Sequence, residues 1–205
     1  MAGTKLLVTG GSRSGKTAYA EAMAARLASE VVYIATASVR QGADGGGEMT
    51  QRIAAHRRAR PQSWATVEEP VAAGRAIREH AAPGRCIVLD CITLWLSNVL
   101  GLHEVREGYV VDGESPVQPL LLNRERLESE RIALLSAIEQ CSGHLVIVSN
   151  ELGSGVVPMG KLSRFFVDEH GWTNQRIAER CDSVVMTVAG VPVKIKSPAT
   201  SSPKD

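Results

Sequence analysis

With 205 residues, 44% of them hydrophobic, the chain is long enough for one sizeable core, and we predict a single domain over residues 1–196 with a disordered polar tail at 197–205. Lysine and arginine number 23 against 22 aspartates and glutamates, so the near-neutral charge gives no reason to expect nucleic acid or an acidic membrane surface as a partner. The four cysteines include no CxxC pair, and neither a signal-peptide pattern nor an apolar run of about 20 residues occurs, so we expect a cytoplasmic protein without a disulfide framework, a zinc site or a membrane span.

Short apolar runs alternate with longer amphipathic stretches along the chain. Five of these runs are typical of buried strands, at residues 6–8, 31–34, 86–89, 145–148 and 184–186. Strands that are apolar almost throughout are expected where helices cover both faces of a parallel sheet, so the alternation predicts an α/β fold with a mostly parallel central sheet flanked by helices. Residues 187–196, interrupted by Gly190 and Pro192, are compatible with a closing C-terminal hairpin, and residues 41–47 and 101–119 are predicted to be loops.

The first predicted strand runs directly into a glycine-rich loop with the pattern GxxxxGK[ST]. The loop comprises Gly10, Gly11, Ser12, Arg13, Ser14, Gly15, Lys16 and Thr17. Because it follows a strand and precedes a helix-like stretch at residues 18–28, we interpret it as the P-loop of an NTPase-like fold rather than as a turn without a ligand. Its backbone N–H groups would bind the phosphates of a nucleoside triphosphate, Lys16 would neutralise their charge, and the Thr17 hydroxyl would ligate Mg²⁺.

Polar residues also follow two other predicted strands. Asp90 closes the apolar run at residues 87–89, and Asn150 and Glu151 follow the strand at residues 145–149. Open α/β sheets bind their ligands at the carboxyl ends of their strands, so Asp90 is predicted to hold Mg²⁺ and the other two to face a substrate. Helix capping is the competing interpretation for all three.

Residues 48–61 are predicted to form a basic helix. Arg52, His56 and Arg60 recur at i+4 spacing and can face one ligand, with Arg57 beside them. Such a cluster suits a triphosphate, and the neighbouring positive charge favours a neutral, nucleophilic imidazole. A solvated basic face explains the same pattern, and composition alone favours it. The remaining histidines, at positions 80, 103, 144 and 170, are predicted to have surface or capping roles.

Taken together, these motifs resemble one known family, the bifunctional adenosylcobinamide kinase/adenosylcobinamide-phosphate guanylyltransferases of cobalamin (vitamin B12) biosynthesis. The resemblance spans nearly the whole predicted domain. It rests on residues 7–17, 33–37, 48–49, 52–53, 56–57, 60–61, 64, 68, 89–93, 150–153, 155–158, 174–175 and 190–196.

The resemblance implies two reactions: phosphorylation of adenosylcobinamide by ATP or GTP, and transfer of GMP from GTP onto the resulting phosphate. It implies that His56 carries GMP covalently and that Lys16 serves the triphosphate chemistry. It also implies a homotrimer. The further nucleotide contacts implied are Thr36, Arg57, Arg60, Glu68 and Asp90. The chain departs from the family pattern at Trp172, where relatives often carry arginine, and this bears on the kinase half.

Two other functions fit the P-loop without the resemblance. A small-molecule P-loop kinase without guanylyl transfer would not need the helix that carries His56. A nucleotide switch without enzyme activity would form no covalent adduct and would not require a corrinoid.

Overall fold

The structure, a computed structural model, describes residues 3–37, 60–102 and 123–198. The strands are β1 (Lys5–Gly10), β2 (Glu30–Ala35), β3 (Ala65–Glu68), β4 (Arg85–Asp90), β5 (His144–Val148), β6 (Ser183–Val188) and β7 (Val191–Lys196). The helices are α1 (Lys16–Leu27), α2 (Ala73–His80), α3 (Ile92–Val99), α4 (Arg124–Gln140) and α5 (Lys161–Arg180). The loop predicted at 41–47 and most of the helix predicted at 48–61 and of the loop predicted at 101–119 lie outside the described residues, as does most of the tail predicted at 197–205.

The strands form one seven-stranded sheet in the order β3-β2-β4-β5-β1-β6-β7. Every pairing in it is parallel except that of β7 with β6, which is antiparallel. The predicted α/β fold with a mostly parallel sheet and a closing hairpin is therefore confirmed. Strand β3 was not predicted, because it lies at the sheet edge and buries too few side chains to give an apolar run.

Apolar side chains pack on both faces of the sheet. Alternate residues of the central strands point to opposite faces, so Leu7 and Ile87 join one buried cluster while Val8 and Val88 join the other. The first cluster packs against α2, α3, α4 and α5, and the second against α1. This two-sided burial explains why the strands are apolar almost throughout.

The strand register aligns several strand ends at one edge of the sheet. Ala35 at the end of β2 pairs with both Glu68 of β3 and Asp90 of β4, and Asp90 pairs with Val148 of β5. Strand β1 ends beside β5 and leads into the P-loop. The polar positions that the sequence placed after strands therefore meet along one edge.

Candidate nucleotide and phosphate-transfer site

The P-loop connects β1 to α1 through backbone conformations that suit glycine. Gly10 and Gly15 have φ values of 150° and 92°, and a Cβ atom at Gly10 would lie 2.5 Å from the Ser14 Oγ. Helix α1 begins at Lys16, and its N-cap Gly15 provides no side-chain hydrogen bond, so the first N–H groups of the helix have no capping side chain. The Lys16 Nζ donates to the Gly11 carbonyl at 3.0 Å, which holds the ammonium over the loop. The loop thus has the form of an anion-binding site.

The C-terminal hairpin braces this loop from behind. The Gly190 N–H, in the turn between β6 and β7, donates to the Ser14 carbonyl at 2.9 Å. The Thr187 hydroxyl donates to the Thr9 carbonyl at 3.2 Å and lies 2.8 Å from the Ser14 hydroxyl. Because the Thr187 hydroxyl donates its hydrogen bond to the Thr9 carbonyl, it accepts one from the Ser14 hydroxyl. The hairpin therefore contributes directly to the shape of the phosphate loop.

Asp90 lies beside the start of α1. Its Oδ2 accepts hydrogen bonds from the Thr17 hydroxyl at 3.4 Å and from the Tyr33 hydroxyl. Helix α3 has Cys91 as its N-cap and no side-chain capping bond, so the capping interpretation of Asp90 is wrong. A carboxylate and a hydroxyl at the end of the phosphate loop are oxygen donors of the kind that Mg²⁺ prefers.

Thr36 supports the chain around Asp90. Its N–H donates to the Asp90 carbonyl at 2.9 Å, and its hydroxyl accepts from the Cys91 N–H and donates to the Cys91 carbonyl, each at 2.8 Å. The residue is fully buried. Its implied nucleotide contact stays a prediction, while its observed contacts all stabilise the chain after β4. Glu68 ends β3 at the same sheet edge and is exposed.

Arg60, implied by the resemblance to bind nucleotide, is buried against protein groups. Its guanidinium carbon lies 3.4 Å from the centre of the Tyr33 ring, and its Nε lies 3.6 Å from the Glu21 Oε1. Burial raises the pKa of the Glu21 carboxyl, Arg60 opposes that rise, and the charge of Asp90 adds to it. Arg60 therefore binds Tyr33 and Glu21, and its nucleotide contact stays a prediction. His56, Arg52 and Arg57 lie outside the described residues.

A buried polar cluster supports the strand end next to the P-loop. The His170 Nε2 lies 2.9 Å from the Thr93 hydroxyl and 3.3 Å from the Ser149 hydroxyl, and Ser149 also donates to Asn174 at 2.7 Å. His170 is only 1% exposed, so the predicted surface or capping role is wrong for this residue. Burial lowers the pKa of His170 to about 4, which keeps the imidazole neutral near pH 7.

The loop after β5 joins this cluster to the P-loop. The Glu151 N–H donates to the Gly10 carbonyl at 3.0 Å, and its carboxylate accepts from the Gly153 N–H at 2.7 Å. The Asn150 carbonyl accepts from the Asn174 side chain at 3.0 Å. The next helix begins only at Lys161 with no side-chain cap, so the capping interpretation of Asn150 and Glu151 is wrong.

A groove of about 330 Å³ opens between this loop and α5. Its wall is a mixture of apolar and polar groups, and Trp172 and Val156, which line it, are 52% and 95% exposed. Its lining residues are Leu152, Gly153, Gly155, Val156, Val157, Pro158, Arg164, Val167, Asp168, Gly171, Trp172 and Gln175. The lining begins at Leu152, one residue after Glu151, whose N–H donates to the P-loop carbonyl of Gly10.

Sequence reasoning missed Tyr33 and His170 as polar groups of the site. Tyr33 lies within an apolar strand, where it looked like a core residue, and its bond to Asp90 depends on the pairing of β2 with β4.

No helix among the described residues is long and apolar enough to cross a membrane.

The fold and the site define a P-loop nucleotide-binding protein. Residues 6–195 match the CobU family, described as cobinamide kinase / cobinamide phosphate guanyltransferase, and the chain belongs to that family. The resemblance inferred from the motifs is thereby confirmed.

Three relatives align with this chain over nearly their whole length. The bifunctional adenosylcobalamin biosynthesis protein CobP of Pseudomonas aeruginosa is 46% identical over 190 residues, covering 93% of this chain and 96% of the relative. The proteins named CobU of Escherichia coli and Salmonella typhimurium are 35% and 38% identical, and each alignment covers 93% of this chain and 99% of the relative. These names agree with the bifunctional kinase and guanylyltransferase interpretation, not with a kinase alone.

Proposed function

We propose that this chain phosphorylates adenosylcobinamide with ATP or GTP and then transfers GMP from GTP onto the new phosphate, giving adenosylcobinamide-GDP. The observation that carries the proposal is a P-loop whose Thr17 hydroxyl lies 3.4 Å from the Asp90 carboxylate, in a chain that matches the CobU family over residues 6–195. Membership of that family supports a corrinoid as the substrate, and the P-loop is the proposed binding site of the triphosphate.

Thr17 and Asp90 would hold Mg²⁺ directly or through water, together with phosphate oxygens. When bound, the ion supplies positive charge against the negative charge that develops on the phosphates. Lys16 and the N–H groups at the start of α1 hold and neutralise the same phosphates. In the kinase step the acceptor hydroxyl oxygen attacks the γ-phosphorus, the nucleoside diphosphate leaves, and the hydroxyl proton passes to solvent.

The second reaction uses His56 as a nucleophile. The neutral imidazole nitrogen attacks the α-phosphorus of GTP, an N–P bond forms, and pyrophosphate leaves. A phosphate oxygen of adenosylcobinamide phosphate then attacks the same phosphorus, the N–P bond breaks, and histidine is released unchanged. The covalent intermediate divides one transfer between two anions into two separate displacements.

Chain length supports the placement of His56 near the P-loop. His56 precedes Arg60 by four residues, and four residues span at most about 14 Å even when fully extended. Arg60 in turn lies against Tyr33, which hydrogen-bonds to Asp90. The length of chain between Arg60 and His56 is therefore compatible with a role of His56 at the phosphate site.

The groove between the loop after β5 and α5 is the proposed acceptor site. Its apolar side chains suit the hydrocarbon periphery of a macrocycle, and its polar residues Arg164, Asp168 and Gln175 suit amide substituents. Trp172 provides a half-exposed apolar surface that such a periphery can contact. Binding there would place the acceptor beside the loop whose Glu151 N–H donates to the P-loop carbonyl of Gly10.

A homotrimer is the proposed assembly. Val188, Val191, Val193 and Ile195 leave apolar surface exposed on the C-terminal hairpin, which supports a role in subunit contact. Light scattering on purified protein should give three times the 21.9 kDa mass of one chain. A monomer mass would overturn the trimer without affecting the proposed chemistry.

Incubation of pure protein with adenosylcobinamide, ATP, GTP and Mg²⁺, followed by mass spectrometry, tests the function. We expect the phosphate first and the GDP derivative second. Accumulation of the phosphate alone, with GTP present and intact protein, would instead establish a kinase without guanylyl transfer. Absence of both products would overturn the proposal.

A further inference from the structure

Tyr33 is a hydroxyl-bearing residue inside an otherwise apolar strand. It is fully buried on the α1 side of the sheet, among side chains such as Val31 and Val88. Its ring needs no hydroxyl to fill that space, yet the hydroxyl donates to the Asp90 Oδ2. A phenol is protonated near pH 7, so this hydroxyl is a hydrogen-bond donor.

The register of β2 and β4 explains how the two residues meet. Ala35 pairs with Asp90, and Tyr33, two residues earlier on β2, points to the same face of the sheet. The Thr17 hydroxyl approaches the same Oδ2 from α1. Among the described residues, the Asp90 Oδ2 therefore accepts both of these hydrogen bonds. They fix the orientation of the carboxylate, and Oδ1 accepts neither of them.

The Tyr33 ring is itself held on its face. Arg60 stacks on it at 3.4 Å and pairs with Glu21, which follows Thr17 by four residues and so lies on the same face of α1. The Arg60 and Glu21 side chains are only 9% and 19% exposed. Each residue in the series Thr17, Asp90, Tyr33, Arg60 and Glu21 contacts the next one. Because the first and the last both lie on α1, the contacts form a closed ring.

We propose that Tyr33 is a positioning residue that fixes the orientation of the Asp90 carboxylate for the metal–triphosphate complex, and that Arg60, paired with Glu21, fixes the Tyr33 ring. The inference rests on the proposed magnesium role of Asp90. It also gives Arg60 a role other than the phosphate contact predicted from the sequence. Arg60, four residues after His56 in the sequence, is thereby joined through the Tyr33 ring to the Asp90 carboxylate.

Tyr33→Phe isolates the hydroxyl, because phenylalanine keeps the ring, the core packing and the stacking with Arg60. Mn²⁺ binding in the presence of a non-hydrolysable GTP analogue, followed by electron paramagnetic resonance, reports metal affinity without turnover. We expect Mn²⁺ affinity to fall roughly tenfold, since a hydrogen bond to a charged group is lost. Affinity for the analogue in EDTA should match that of the wild type.

Tyr19→Phe is the matched control. Tyr19 lies on α1 and packs against the same apolar cluster, so the variant loses a phenol hydroxyl without touching Asp90. It should keep wild-type Mn²⁺ affinity. An equal loss in both tyrosine variants would mean a general effect on α1 and would overturn the proposal.

The double variant Tyr33→Phe/Asp90→Asn tests whether Tyr33 acts through Asp90. If it does, adding Tyr33→Phe to Asp90→Asn should not weaken Mn²⁺ binding further. Wild-type Mn²⁺ affinity in Asp90→Asn would remove the proposed metal role itself. Weak binding in Asp90→Asn but wild-type binding in Tyr33→Phe would overturn this inference and leave the proposed function intact.

Arg60→Met tests the second part of the proposal, because methionine keeps apolar length and removes the charge. We expect Mn²⁺ affinity to fall in the same direction as in Tyr33→Phe, with the circular dichroism spectrum of the fold unchanged. Wild-type Mn²⁺ affinity in a folded Arg60→Met protein would remove Arg60 from the arrangement.

Discussion

Replacing Thr187 by valine tests whether the C-terminal hairpin shapes the phosphate loop. Valine is nearly the same size and suits a strand, so the change removes little except the hydroxyl. That hydroxyl accepts a hydrogen bond from the Ser14 hydroxyl at 2.8 Å and donates one to the Thr9 carbonyl at 3.2 Å. Thr187 and Ser14 are 1% and 8% exposed, so water cannot readily replace the lost partner.

The expected loss of stability in Thr187→Val comes from the Ser14 hydroxyl, which is left without a hydrogen-bond acceptor. A buried donor left without a partner costs about 1–3 kcal/mol, and we expect the free energy of unfolding to fall by that amount. Part of the cost should appear as weaker GTP binding, up to roughly tenfold, because Ser14 lies within the P-loop. Urea denaturation measures the first quantity and isothermal titration calorimetry the second.

A second substitution sharpens the test. Removing both partners of a buried hydrogen bond is close to neutral, so Ser14→Ala/Thr187→Val should be less destabilised than the sum of the single variants. Additive losses, or a Thr187→Val protein with wild-type stability and GTP affinity, would refute the bracing role of the hairpin.

Four further predictions concern the reaction and its substrates. Lys16→Ala should slow both transfers by roughly a hundredfold to a thousandfold, because it removes a positive charge from the triphosphate; product formation near the wild-type rate would contradict the phosphate-site assignment. His56→Asn should abolish the acid-labile label that α-labelled GTP leaves on the protein, along with guanylyl transfer, yet spare kinase turnover, and an adduct that persists would exclude His56 as the nucleophile. Trp172→Ala should raise the KM for adenosylcobinamide several-fold and leave that for GTP unchanged, whereas an unchanged corrinoid KM would move the acceptor out of the groove. Folding lowers the pKa of His170 from its ordinary 6.5 to about 4, so its contribution to stability is present above pH 6.5 and is lost as pH falls toward 4. The free energy of unfolding, measured by urea denaturation, should therefore fall less between these pH values in His170→Gln than in the wild type, by about 3 kcal/mol. His80→Gln serves as the control.

The sequence predicted features that are encoded locally. The P-loop is a contiguous motif between a strand and a helix, and the central strands are apolar because helices cover both sheet faces. Asp90 was found because the end of an apolar run marks the edge of the sheet. These features need no knowledge of which strands are neighbours.

What the sequence did not predict depends on pairing between distant segments. Tyr33 reaches Asp90 only because β2 lies beside β4, and a tyrosine in an apolar run gives no sign of that. His170 follows Asp168 and Glu169, which suggested a polar surface, although the helix turns the imidazole into a buried cluster. The nucleophilic role of His56 came from the resemblance and stays a prediction.

The position of β1 has a consequence for how the protein is made. Both neighbours of this strand come from the second half of the chain, since β1 pairs with β5 and β6. The contact between Thr4 and His144 spans 140 residues, and that between Ser14 and Thr187 spans 173. At about 5–20 residues per second, a ribosome needs roughly 10–30 s to supply these partners. During that interval the apolar first strand has neither of its neighbours in the sheet, and exposed apolar strands of this kind are prone to aggregate. The contacts of the P-loop with the C-terminal hairpin form only after residue 190 has been synthesised.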